Sequence, residues 1–402
     1  MKGRVTWGCQ PTPVAVVRRF SVNQGKCRYS SVVSLMPSGL KPGELGGSPT
    51  EAHETVLRNQ FSDVAKWKVH GPVETLRREV AIWDIAQETW VEDRLFTVTA
   101  FRPDGSVSTS DFYNPDGSIA HSRSRYDEMG RLTATESQLD DGDIGSLEHF
   151  YDDAGRRVRT ACRSHDGTQS ELEVWTYDTG GKRTVVRFLH HLGTNMFYGI
   201  EGTEQGYPAP GAATMTTMYD EWDLPAEVAF HDGGHKLLRH VTFLRDSEGR
   251  PLSEEMHIDE EFPFPINNIP EEHRGKTVAM FKSVLGAKLS TTTYCYDAQG
   301  RLRERTYRVG ALHERRTTYD YGDRDDPVSQ TTQHASREAG GDDNGGVHYS
   351  PDHVTVHHNR FEYLYDAQGN WTECVVWSRL EPNPDFQRSN VERRAITYYD
   401  AT

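Results

Sequence analysis

The chain has no long apolar run. None of its 402 residues belongs to a stretch approaching the length of a membrane-crossing helix. Apolar residues make up only 35% of the chain, low for a globular protein. A sheet with one or both faces partly wet has such a composition, because a strand needs only alternate residues to be apolar. The five cysteines, Cys9, Cys27, Cys162, Cys295 and Cys374, are too far apart in sequence for a metal-ligand pair. Their odd number and wide gaps do not read as a disulfide framework, which favours a reducing compartment or incidental thiols. Excess positive charge is missing too. The formal net charge is −15, and nucleic acid or an anionic membrane would need a basic footprint. Acidic residues are absent only from Met1 to Gly43, which holds seven Lys or Arg, so the remainder carries about −22 (−15 less 7).

Signatures of chemistry are equally scarce. There is no Gly-x-Ser-x-Gly elbow, no His-Glu-x-x-His helix and no dinucleotide fingerprint, so no cofactor is expected. His273-Arg274-Gly275-Lys276-Thr277 ends like a phosphate loop, but Pro270 stands where that loop needs its first glycine. His353 and His357 would share a face of a strand, and Asp342-Asp343-Asn344 and Asp323-Arg324-Asp325-Asp326 are acidic clusters. Neither set has the full spacing of a zinc or calcium site, so no metal is expected. Asn370-Trp371-Thr372 is a glycosylation sequon.

What is present is a recurring stretch. Tyr-Asp-x-x-Gly-Arg occurs at Tyr126, Tyr151 and Tyr296, with Asn for Arg at Tyr365–Asn370 and Lys for Arg at Tyr177–Lys182. Leu244 to Arg250 keeps the turn but shifts the aromatic. Tyr219-Asp220 and Tyr319-Asp320 keep only the first two residues. Phe101 to Gly105 and Tyr113 to Gly117 are shortened relatives with a Pro-Asp-Gly turn. An Asp that accepts backbone N–H groups, two turn residues and a left-handed Gly close a short hairpin with a bulge. A second class of turn, Asp140-Asp141-Gly142, Asp166-Gly167 and Asp232-Gly233-Gly234, falls between these. Strands and turns alternate every 8 to 13 residues or so, the spacing of an antiparallel meander.

The stretch resembles the YD repeat, also called the Rhs repeat, over roughly residues 70 to 400. The resemblance implies an all-β repeat scaffold. Proteins of that kind are often bacterial surface or secreted proteins, implicated in carbohydrate binding or forming shells around toxin domains. This chain is much shorter than the shell-forming members and has no obvious toxin module after the repeats.

The expected architecture is one long antiparallel meander curling into an open spiral, partial barrel or shell. Residues 1–50 read as a basic tail and linker, with Met36 an alternative start and a transit or export peptide the other reading. Residues 51–69 read as a short amphipathic helix on Val56, Leu57, Phe61, Val64 and Trp67, and 70–402 as the sheet domain. In the first strand Val73, Thr75, Arg77, Glu79 and Ala81 should share a face. Insertions at Leu192–Thr216, Asp259–Lys288 and His334–Asp352 should carry any specific site, the second with a helical face on Val278, Phe281, Val284 and Leu285.

Trp175 and Tyr177 should share one face, as should Trp371 and Trp377. These four residues are the expected ligand-binding set, as aromatic platforms for a sugar or a protein partner. A non-enzymatic binding scaffold is the leading expectation. A polysaccharide hydrolase or lyase and an immunity-type partner of a basic toxin are the alternatives. With no recognisable signal segment, the expected place is the cytoplasm or signal-less export, with the cell surface as an alternative.

Overall fold

The computed structural model describes residues 67–114, 117–139, 144–163, 167–189, 197–199, 206–208, 211–258, 288–337, 339–341 and 347–400. They form strands and turns. The first nine strands are β1 (Val73–Asp84), β2 (Thr89–Phe101), β3 (Val107–Tyr113), β4 (Ile119–Tyr126), β5 (Leu132–Leu139), β6 (Ile144–Tyr151), β7 (Arg157–Arg163), β8 (Gln169–Tyr177) and β9 (Arg183–Phe188). A small ribbon follows, β10 (Phe197–Gly199) with β11 (Gly206–Pro208). The meander resumes with β12 (Thr214–Tyr219), β13 (Pro225–His231), β14 (Leu237–Arg245), β15 (Pro251–Ile258), β16 (Lys288–Tyr296), β17 (Leu302–Val309), β18 (His313–Tyr321) and β19 (Pro327–Ser336). A second ribbon, β20 (Ala339–Gly341) with β21 (Val347–Tyr349), precedes β22 (His353–Tyr365), β23 (Trp371–Leu380) and β24 (Gln387–Tyr398).

Leaving the two ribbons aside, each strand pairs antiparallel with the next, and β24 pairs with β1. The 20-stranded sheet is therefore a closed barrel, where the sequence had suggested an open spiral or partial barrel. Closure leaves no strand edge with unpaired backbone groups, which an open sheet of this length would have to protect. Barrels of 16 to 18 strands already enclose an aqueous lumen, so side chains cannot fill one of 20. That accounts for the low apolar content.

Residues paired across an antiparallel ladder point to the same face. Following the pairs around the ring separates two faces. One carries Leu76, Thr99, Ser110, Tyr126, Tyr151, Glu173, Trp175, Thr217, Val228, Val241, Thr292, Thr317 and Arg394. Most of the fully buried side chains fall on this face. It is the concave one, where neighbours converge. Two apolar clusters lie on it. Leu189, Met215, Val228, Phe230, Val241 and Met256 span β12 to β15, and Val69, Val73, Leu76 and Phe101 sit beside the seam. The convex face carries ion pairs, among them Arg163–Glu148, Arg316–Glu304, Lys288–Glu255 and Arg393–Glu373. A lipid-facing barrel needs a continuous apolar belt in that position. No helix among the described residues is long and apolar enough to cross a membrane.

Because the strands alternate in direction, their connections alternate between two rims. The Tyr-Asp turns all lie on one rim. The connections holding the three insertions leave from the other. The first insertion contains the β10–β11 ribbon and ends where β12 begins at Thr214, and the third contains β20–β21. Residues 51–66 of the helix expected over 51–69, the helical face on Val278 to Leu285, the His273–Thr277 stretch, Asp140–Gly142 and Asp342–Asn344 lie outside the described residues, and the described end of the first, 67–69, is not helical. Trp67 sits in a turn.

The turn rim is a chain of linked repeats. In the turn at Asp127 the Asp Oδ1 accepts the N–H of Met129 and Arg131, and Oδ2 accepts Arg131 Nε at 2.7 Å. The Arg131 guanidinium lies 4.7 Å over the ring of Tyr151 in the next repeat, and the Tyr151 hydroxyl donates to the Leu132 carbonyl at 2.7 Å. The same pair of contacts recurs with Arg156 and Tyr177, Arg250 and Tyr296, and Arg301 and Tyr321. At Gly300, φ is +78° and a Cβ would lie 2.8 Å from Arg250 Nη1. We expect Gly300→Ala to cost about 1–2 kcal/mol in urea unfolding, since it combines left-handed strain with displacement of that arginine.

Degenerate copies keep the geometry with other residues. Arg245 takes the tyrosine slot and donates to the Pro225 carbonyl at 2.9 Å. Asp223, at φ 55°, takes the glycine slot of the Asp220 turn. In the second class of turn, on the other rim, His235 at φ 65° holds the corresponding position of the Asp232 turn. The Tyr319-Asp320 reading was out of register by two residues. Tyr321 fills the repeat position there, because it is the ring under Arg301. In β1 an irregularity between Val73 and Thr75 turns Val73 to the concave side with Leu76, against the simple alternation expected.

Candidate functional site

On the concave face of β6 to β12 the strands enclose a cavity of about 420 Å³. Trp175 and Tyr177, two of the four expected site residues, line it together, joined by Tyr151 and Tyr219. Both belong to β8, two residues apart, so a strand period of two places them side by side. The guanidinium groups of Arg157 and Arg183 stand 5.0 and 4.9 Å from the Trp175 ring, and Arg183 stands 3.7 Å from that of Tyr219. Each arginine is thus held against aromatic faces with its donors directed by stacking.

The carboxylate lining the cavity is Glu173, which is buried. It accepts Arg187 Nε at 2.7 Å, and a second bond comes from Arg187 Nη2. Burial alone would raise its pKa. The Arg187 charge and hydrogen bonds outweigh burial and hold it below the usual carboxylate range. It is therefore ionised at neutral pH and has no proton to donate. Paired-carboxylate hydrolysis needs a second acid across the cleft, and among the described lining residues there is none. His149, on the same face of β6, is kept neutral. Burial lowers its pKa to about 4, and Arg157 adds to the effect.

The other expected pair separates. Tyr365 pairs with Trp371, whereas Leu364 pairs with Glu373, so Thr372 is an extra residue in the ladder. That bulge reverses the parity of the strand beyond it. Trp371 is concave, under Arg394 at 3.3 Å, and Trp377 is convex, stacked with Arg388 at 5.0 Å. Counting residues could not reveal this, although a bulge after every Tyr-Asp turn is implied by the turn type. The sequon Asn370 is fully buried in the wall and engaged on both sides of its amide, so it cannot accept a glycan. Asp323 to Asp326 belong to the β18–β19 turn, where Asp326 accepts the Tyr365 hydroxyl. Among the described residues no group of three His, Cys, Asp or Glu is placed to hold a metal ion, and Cys162, Cys295 and Cys374 are free thiols.

No family model matches this sequence, and no curated protein matches it. Among solved structures, a porin-like protein from Bacteroides uniformis is similar at 11% identity and a TM-score of 0.31, over 82% of this chain and 98% of that one. The Tc holotoxin pore of Photorhabdus luminescens is similar at 11% identity and a TM-score of 0.15, over 73% of this chain and 19% of that one. A TcdB2–TccC3 structure is similar at 12% identity and a TM-score of 0.16, over 73% of this chain and 20% of that one.

Proposed function

We propose that this protein is a non-enzymatic binding scaffold of the YD-repeat type that takes a carbohydrate in the concave cavity of β6 to β12. The observation that carries the reading is the lining of that cavity, where tyrosine and tryptophan rings alternate with stacked arginines. Sugars offer hydroxyls that accept from guanidinium donors and C–H faces that pack on aromatic rings. The repeat turns at the rim supply the rigidity, since Arg131, Arg156, Arg250 and Arg301 are each held by the Asp of their own turn and stacked on the next Tyr. Glu173, held ionised by Arg187, contributes an acceptor for sugar hydroxyls rather than an acid for their cleavage.

A glycan array probed with the full chain tests this. Selective binding should fall at least tenfold in Trp175→Ala, which removes the ring that orders Arg157 and Arg183. Binding should persist in Trp377→Ala, on the convex side. An array with no binding at all sinks the carbohydrate reading and moves the weight to a protein partner on the insertion rim.

A further inference from the structure

A second part of the concave wall has a different character. On β17, β18, β19, β22 and β23 the concave positions hold two arginines, Arg305 and Arg315, and several histidines. They hold no carboxylate. The convex positions of the same strands carry Glu304, Glu314, Asp320, Glu362 and Glu373. In a chain of net charge −15, the acids have been placed outside and kept off the lumen here.

Three of the histidines form a row across adjacent strands. His313 of β18 lies 6.0 Å from His334 of β19, ring centre to ring centre, and His334 lies 6.0 Å from His357 of β22. Tyr307 extends the row at 6.2 Å, and Arg315 pairs with His334 across the ladder and stands 5.8 Å over Tyr307. Further ionisable neighbours are His353, exposed at the start of β22, and Arg379, Glu381 and Asp385, which share with His357 a cavity in the β23–β24 turn. Glu381 is engaged by His358 at 2.9 Å.

We infer that this wall is a binding site for a small oligoanion, with an affinity set by the charge state of the histidine row. Ring spacings of 6.0 Å are too wide for one phosphate to bridge all three imidazoles, so the ligand must carry two or more phosphate or carboxylate groups. Arg315 supplies a permanent positive charge and a planar donor fork. Each imidazole adds a charge and a second donor when it takes up a proton.

Burial lowers the pKa of His313, with Arg315 adding to it. Burial, then Arg315 and the two flanking histidines, lower that of His334. His313 and His334 are therefore neutral at pH 7 in the empty wall. Since these folded-state values lie below the unfolded value of about 6.5, acidification below it destabilises the empty wall. A bound anion reverses the sign, and by reciprocity raises the histidine pKa values.

Calorimetric titration of the full chain with tripolyphosphate and, separately, citrate tests the inference and tells phosphate from carboxylate selectivity. Affinity for at least one should rise tenfold or more from pH 8 to pH 5.5. Both probes lose charge over that range, so the ligand cannot be the source of a rise. His313→Gln, His334→Gln and His357→Gln combined should abolish the rise, whereas Trp175→Ala should leave it intact. An affinity that is flat or falls on acidification, or a rise that survives the triple variant, overturns the proposal. Histidine C2-proton titrations of the unmutated protein cover the case where the triple variant fails to fold. Three pKa values should move up with the better probe, and no movement is equally decisive against the site.

Discussion

Replacing Asn370 with alanine should destabilise the barrel by about 3–5 kcal/mol, measured by urea unfolding and by the loss of near-ultraviolet signal from the neighbouring Trp371. Asn370 is 1% exposed and stands where other repeats have the arginine. Its Oδ1 accepts the His70 N–H at 2.6 Å, and its Nδ2 donates to the His70 carbonyl at 2.8 Å and to the Tyr398 hydroxyl at 2.7 Å. The Tyr398 hydroxyl also bonds Asp366, and burial, then this bond, raise its pKa to about 12. Alanine would leave a backbone donor and a backbone acceptor unpaired in a buried place, at about 1–3 kcal/mol each before relaxation, and would take one of its two partners from the Tyr398 hydroxyl, which keeps Asp366. The effect is amplified by position. The amide ties the segment entering β1 to the β22–β23 turn, 300 residues later. A loss below 1 kcal/mol would show that the β1–β24 ladder closes the ring unaided.

The exchange of Arg for Asn in this copy has a physical reason. Elsewhere the arginine reaches over the next tyrosine along the rim. At the seam the incoming backbone at His70 fills that space and presents an N–H and a C=O of its own. A short amide satisfies both, and a guanidinium has no acceptor for the N–H.

The second large effect is expected at Glu173. Glu173→Ala should cost about 2 kcal/mol in the same assay, because Arg187 would be left without its partner beside Arg157 and Arg183. The cost is moderated because Arg187 keeps 35% of its side chain in contact with solvent. The pair also fixes a pH dependence. The Glu173 pKa is lower folded than unfolded. Its contribution is present above the unfolded value of about 4.3 and is lost as pH falls through the folded value. The unmutated barrel should therefore lose stability below about pH 4.3 more steeply than Glu173→Ala. Parallel acid profiles for the two would remove Glu173 from the account.

Much of this molecule is local in origin and so legible from the chain. Asp, two turn residues, Gly and Arg close a hairpin by contacts within five residues, and the tyrosine before them is a strand former. Repetition at hairpin spacing then leads to an antiparallel meander, and the even spacing of Trp175 and Tyr177 puts both on one face. These inferences rest on φ preferences, short-range hydrogen bonds and a period of two, which act whatever surrounds them.

Other features depend on residues far apart in sequence, and only the tertiary structure decided them. Nothing near Val73 or Tyr398 announces that the two pair, and it is that pairing which turns a spiral into a closed ring. Whether twist and stagger bring the last strand back to the first is a sum over all twenty strands. The bulge at Thr372 carried Trp377 to the outside by a single extra residue. Arg245 and Asp223 occupy repeat positions that their side chains disguise, because the slot is defined by backbone geometry and by an acceptor one repeat away. The histidine row joins positions 313, 334 and 357, whose common face is set by ladder register across three strands. Turn chemistry is a property of five neighbours, whereas closure and register are properties of the whole sheet, so the first could be read from the chain and the second had to be seen.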